Sequence, residues 1–220
     1  MNQQDNESIR TFKIGIDIDD VLLKSAERSI EMYNEKFGTN VTLDDWYDFD
    51  DPEVWSKIWG SDDMRLLVAR VVETMADEAF TSVQPVDGAP EALTHLQDQG
   101  HELFAITGRS ESIRKQTKFV LDLCFPGMFT DDRLIFVDYY NHDGQKASKA
   151  DVATGLELTH FIEDLPDHAT QLARAGIKTY LFSPGYKWNE KGVADDVADN
   201  VIVVPGWRWI IKDIDAEAAA

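Results

Sequence analysis

The chain is poor in basic residues, nearly without cysteine, and has no long apolar run. Its 220 residues hold 21 Lys and Arg against 41 Asp and Glu, a formal net charge of −20. Such a surface repels phosphate backbones and excludes bulk binding of a nucleic-acid polymer. A small phosphorylated molecule is not excluded, because one metal ion can invert the field inside a pocket. The one cysteine, Cys124, can form neither an internal disulfide nor a cysteine zinc cluster. Its apolar setting (FVLDLCF) predicts a buried thiol in a cytoplasmic protein. No apolar run approaches the roughly 18–20 residues of a membrane span. The opening MNQQDNESIR lacks the apolar core of a secretory signal, so neither membrane insertion nor export is expected. Repeats are absent, and AEAAA at the end is the one low-complexity stretch.

What the chain does contain is core-forming material. Hydrophobic residues are 43% and aromatics 10%, which argues against disorder. The length suits one domain, or one domain with a small insertion. Short continuous apolar runs predict strands at Lys13–Ile18, Glu102–Thr107, Leu134–Val137, His160–Glu163 and Thr179–Phe182, with a sixth at Val201–Val204. Helical spacing lies between them, at Pro90–Gln99 before Gly100, at Glu111–Leu123 after a Ser110 cap, and at Pro166–Ala175 before Gly176. This alternation predicts an α/β fold, a Rossmann-like parallel sheet with helices on both faces. The stretch between the first two strands is too long for one crossover. Ala26, Ile30, Tyr33 and Phe37 recur at helical spacing, Thr42 looks like a cap, and a further helix is expected near Asp62–Ala79. We therefore expect a core domain over 11–22 and 86–212 and a small helical cap over 23–85, the alternative being an extension of the main domain.

Chemistry in such folds gathers at the carboxyl ends of the strands. Asp17 and Asp19 end the first run, and strand residues i and i+2 point the same way. Two carboxylates so close need a cation or a shared proton, and Mg²⁺ suits oxygen ligands. Thr107-Gly108-Arg109 follows the second run, where a hydroxyl and free backbone N–H groups can hold phosphate oxygens. Lys149 opens a helix, an electrostatically unfavourable place that invites a reason, and Lys146 is its rival. Glu163-Asp164 ends the fourth run, where Asp164 or Asp167 could instead cap the following helix. Each piece has a bland reading. In this order they converge on one edge of the sheet as a metal site, a phosphate cradle and a nucleophile.

These residues resemble the haloacid dehalogenase-like superfamily of phosphohydrolases. Its four motifs match Asp17-Ile18-Asp19-Asp20-Val21-Leu22, Thr107, Lys149 and Glu163-Asp164. The helical insertion and the segment FIEDLPDHA are similar to the 5′-nucleotidase branch that includes the 5′(3′)-deoxyribonucleotidases. The resemblance implies that Asp17 is the nucleophile of an aspartyl-phosphate mechanism and Asp19 the general acid and base. It implies Mg²⁺ held by Asp17, the Asp19 carbonyl and Asp164, with Glu163 acting behind the ion or through water. Thr107, Gly108 and Lys149 would hold and balance the phosphoryl group. The carboxylate at Asp19 speaks against carbon–halogen hydrolysis, because the dehalogenases lack it. Asp20 stands where that branch commonly has glycine.

Specificity should come from the insertion. Trp46, Tyr47, Phe49, Trp55 and Trp59 could stack on a nucleobase, Trp46 and Trp55 being the candidates, or could form the insertion's own core. Tyr186, Trp188, Trp207 and Trp209 read as aromatic surface beside a closing strand and helix. The expected partner is a small phosphorylated substrate, such as a nucleoside monophosphate, or alternatively a sugar phosphate or other phosphoester. A non-catalytic phosphate- or metal-binding module is the alternative from another class.

Overall fold

The computed structural model describes residues 10–47, 51–61, 63–138 and 147–220. Phe49, Asp62 and Lys146 lie outside the described residues. Six strands form one sheet in the order β3-β2-β1-β4-β5-β6. They are β1 Lys13–Ile16, β2 Glu102–Thr107, β3 Leu134–Phe136, β4 His160–Glu163, β5 Lys178–Phe182 and β6 Val201–Val204. Every neighbouring pair is parallel. Side chains alternate between two packed faces, which is why the strands read as unbroken apolar runs. Ile14, Ile16, Leu103, Ala105, Ile162 and Phe182 pack on one face with α4 (Ala89–Asp98), α5 (Arg114–Cys124) and α8 (Trp207–Ala218). Phe104, Ile106 and Phe161 pack on the other with α6 (Lys149–Gly155) and α7 (Pro166–Arg174). Gly15 faces this second layer, and Phe161 lies so close that a Cβ there would sit 2.5 Å from its ring.

The expected first strand is too long by two residues. Pairing stops at Ile16, and the chain turns so that the Ile18 carbonyl accepts the N–H groups of Leu22 and Leu23. Asp20 sits in this turn at φ 59°, the left-handed region that a glycine would enter freely. Its Oδ1 accepts the Ala26 N–H at 3.1 Å, a local bond that offsets the strain.

Between β1 and β2 lie α1 (Ser25–Phe37), α2 (Pro52–Trp59) and α3 (Met64–Ala76). They enclose a separate cluster of Ala26, Ile30, Trp46, Val54, Trp55, Ile58, Trp59 and Leu67, joined by Trp188 from the loop after β5. α1 ends at Gly38 in the left-handed conformation, and Thr42 makes a capping box with Asp45. α2 has no counterpart among the expected helices, although its signal is plain: Asp51 caps it and Pro52 opens it. α3 stops earlier than expected because Asp77 opens a separate 3₁₀ turn, Glu78–Ser82. Ser110 caps a short 3₁₀ turn, Glu111–Ile113, ahead of α5. Cys124 is half-buried rather than buried, and burial raises its thiol pKa. Among the described residues no helix is long and apolar enough to cross a membrane.

Candidate active site

The turn after β1 and the ends of β2 and β4 meet the start of α6 in one crevice, over which α1 to α3 lie. A cavity of about 120 Å³ there is lined by Asp17, Asp19, Asp20, Gly108, Arg109, Asp138, Lys149, Asp164 and His168 on the sheet side. Trp46, Trp55, Trp59, Val68, Val71, Val72 and Met75 line it from the inserted helices. Asp17 and Asp19 share the cavity although neither is in a strand; the turn, not the pleat, brings them together.

Lys149 is the charge centre of the sheet side. Ser148 caps α6 with its side chain, so Lys149 is the first helical residue and its side chain is free to run inward. Its ammonium donates to Asp17 at 2.6 Å and to Glu163 at 2.7 Å, with both carboxylates nearly inaccessible. Burial opposes the ammonium, but the two carboxylates outweigh it and hold Lys149 charged. Burial also opposes the Glu163 carboxylate, and Lys149 and His168 outweigh it, holding Glu163 well below the usual range. Glu163 further accepts the Leu165 N–H at 3.1 Å, so it stands behind Lys149 rather than on the cavity wall.

One ammonium does not balance the remaining acids. Burial, with Glu163 and Asp19 nearby, pushes Asp17 up to about 7 despite Lys149. Burial and its acidic neighbours push Asp164 well above the carboxylate range too. Oxygens of Asp17, Glu163 and Asp164 lie within 4.8 Å of one another. A buried oxygen-only donor set with excess negative charge fits a hard divalent cation. Asp164 does not cap α7, whose preceding residue Leu165 makes no side-chain cap. Instead its Oδ2 accepts the indole N–H of Trp188 at 2.9 Å, and its carbonyl accepts the Asn189 amide.

Arg109 is the residue whose part sequence reasoning missed. Its side chain is almost fully buried and grips Asp19 through Nε at 3.1–3.2 Å and Nη2 at 2.7 Å. Thr117 accepts from its Nη1 at 3.1 Å and Ser25 from its Nη2 at 3.2 Å. Burial opposes the Asp19 charge, but Arg109 outweighs it and lowers the pKa. The available signal was its place directly after Thr107-Gly108, at the carboxyl edge of β2. Thr107 is fully buried and its hydroxyl accepts the Arg109 N–H at 3.2 Å, while Gly108 reaches the cavity wall.

Trp46 and Trp55 are both cavity wall and cluster core, in edge contact at a centroid distance of 5.9 Å. The later aromatics are not all surface. Trp188 and Trp207 are buried, and Trp207 donates to the Val21 carbonyl at 3.0 Å, bracing the turn after β1; Trp209 is half-exposed.

The same architecture recurs in solved structures. A haloacid dehalogenase family hydrolase from Deinococcus radiodurans, solved with bound phosphate and sodium, superimposes with a TM-score of 0.63 at 16% identity, covering 96% of this chain and 97% of that one. A haloacid dehalogenase-like hydrolase from Streptococcus pneumoniae gives 0.63 at 13% identity, covering 92% and 98%. The fold is thus the α/β architecture of the haloacid dehalogenase-like hydrolases. More narrowly, the chain belongs to the family described as 5′ nucleotidase, deoxy (Pyrimidine), cytosolic type C, whose profile matches residues 10–145. Two relatives carry provisional nucleotidase names. One, from Oceanobacillus iheyensis, is 24% identical over 185 residues, 83% of this chain and 93% of the relative. The other, from Bacillus cereus, is 26% identical over 177 residues, covering 80% and 88%.

Proposed function

We propose that the chain is a Mg²⁺-dependent phosphomonoesterase that forms an aspartyl-phosphate on Asp17, with a nucleoside monophosphate as substrate. The observation that carries this reading is the buried Asp17 carboxylate, held at 2.6 Å by Lys149 and sharing one cavity with Asp19 and Asp164. Mg²⁺, held by Asp17, the Asp19 carbonyl and Asp164, would lower the energy of the charge gathered around the phosphoryl group. An Asp17 oxygen attacks phosphorus and the ester P–O bond breaks; Asp19, which Arg109 holds ionised in the free site, takes up the acid proton of the phosphate monoester monoanion as it binds and passes it to the departing oxygen. Water then gives a proton to Asp19 and attacks the same phosphorus. The aspartyl P–O bond breaks, releasing inorganic phosphate and restoring Asp17. Lys149 and the N–H of Gly108 balance and hold the phosphoryl oxygens, and Thr107 shapes the turn that presents them.

Residues 23–85 act as the cap that selects the leaving group. Apart from Ser25 and Ser29 of α1, its wall is aromatic and aliphatic, which suits a flat base better than a second ring of hydroxyls. The family description, with its deoxy and pyrimidine terms, supports the same choice. The test is phosphate release from ribo- and deoxyribonucleoside monophosphates, sugar phosphates and an aryl phosphate, with and without Mg²⁺. Nucleotide-preferring, Mg²⁺-dependent release that is lost in Asp17→Asn is the expected result. Release that survives in Asp17→Asn, or no release from any of the panel, overturns the reading.

A further inference from the structure

Trp188 and Asn189 belong to the short 3₁₀ turn Lys187–Asn189 in the loop between β5 and β6, far along the chain from the acids of the crevice. Trp188 is 1% exposed, yet its ring packs in the cluster of the inserted helices, not in the cores of the sheet. Its indole N–H reaches back to Asp164 Oδ2 at 2.9 Å, and the Asn189 amide donates to the Asp164 carbonyl. Tyr186 stacks on the Trp188 ring with centroids 4.2 Å apart and planes at 14°. The Tyr186 hydroxyl donates to the Asp20 carbonyl at 3.1 Å, and Asp20 in turn accepts the Ala26 N–H of α1.

We infer that the Trp188–Asn189 pair positions Asp164 for the metal and ties that position to the packing of the cap. The inference rests on the reading of Asp164 as a Mg²⁺ ligand. A carboxylate ligand is useful only when its free oxygen faces the ion, and a donor on the other oxygen fixes its rotation. Partners of this kind change metal affinity by about 10–100-fold when removed. Trp188 supplies such a donor on a rigid ring, packed in the hydrophobic cluster of the inserted helices and stacked on Tyr186. Any displacement of the cap's aromatic cluster is therefore felt at the ligand.

The experiment measures Mn²⁺ and Mg²⁺ binding by isothermal titration calorimetry on the full chain, with no substrate present. Trp188→Phe keeps the ring and its burial but removes the N–H. Its expected metal dissociation constant rises by about tenfold or more, and phosphate release at saturating Mg²⁺ recovers most of its rate. In an Asp164→Asn background, Trp188→Phe has no further effect on metal binding. If Trp188→Phe does not melt cooperatively, Asn189→Ala removes the other donor and carries the same expectation. Variants that fold and bind metal as tightly as wild type overturn the inference alone. Wild type that binds neither ion overturns the metal reading, and the inference with it.

Discussion

Lys149→Met is the sharpest perturbation of the site. The methionine fills much the same volume but carries no charge. The side chain it replaces is 5% exposed, and its ammonium lies 2.6 Å from Asp17 and 2.7 Å from Glu163. Asp17 would be left buried without its cation and Glu163 with only its contacts to His168 and the Leu165 N–H, with Asp164 close by. Removing one partner of a buried ion pair costs about 3–5 kcal/mol, most of it the burden of the stranded charge. For a chain of this size each kcal/mol moves the melting temperature by about 2–4 °C, so a fall of about 6–20 °C is expected. The assay is calorimetric melting at pH 8 in the presence of a chelator. The Asp17→Asn background separates charge from packing: with one of the stranded carboxylates gone, Lys149→Met should cost clearly less. A Lys149→Met protein that melts within 2 °C of wild type, or losses that simply add in the double variant, would refute the account of Lys149 as charge centre; about 2 °C is the effect of a surface substitution.

Asp17→Asn on its own should abolish phosphate release and yet raise the melting temperature in metal-free buffer at alkaline pH. The folded pKa of Asp17, about 7, lies above its unfolded value of 3.8, so ionising it costs stability as pH rises between the two. The gain in Asp17→Asn should accordingly shrink as pH falls toward 3.8, as pH-stepped melts would show. Arg109→Lys exchanges a two-pronged grip on Asp19 for a single contact and loses the bonds to Thr117 and Ser25. It should lower kcat while leaving the Mg²⁺ requirement unchanged; an altered Mg²⁺ requirement with intact kcat would contradict this. Gly15→Val would drive its Cβ to 2.5 Å from the Phe161 ring and 2.8 Å from Leu158. We expect a loss of at least about 1–3 kcal/mol in urea denaturation, partly recovered in Gly15→Val/Phe161→Leu.

The sheet was legible because strands buried on both faces leave unbroken apolar runs, and Gly100 and Gly176 close their helices in the left-handed conformation. The acids and Lys149 were legible because parallel sheets present strand ends to one edge, and position alone singled them out. Pairings were not. Arg109 finds Asp19 across 90 positions, and Trp188 finds Asp164 across 24, through packing that no local pattern encodes. The aromatics misled for the same reason. Trp188 and Trp209 look alike in sequence, yet one is buried in the cluster of the inserted helices and the other faces solvent. Strand length misled at Ile16, where the apolar residue Ile18 belongs to a turn that folds back under the sheet edge.

The central position of β1 has a consequence for synthesis. Its neighbours β2 and β4 emerge from the ribosome long after it, and β4 pairs with it only when most of the chain exists. Until then Asp17 is one solvated acid among many, with no buried charge to stabilise. Lys149 arrives 132 positions after its partner Asp17 and ahead of Glu163 and Asp164. The nascent chain thus meets the counter-charge before the last two acids that crowd the site. Formation of the most repulsive cluster is deferred to a stage when the lysine that offsets part of its charge is already at hand.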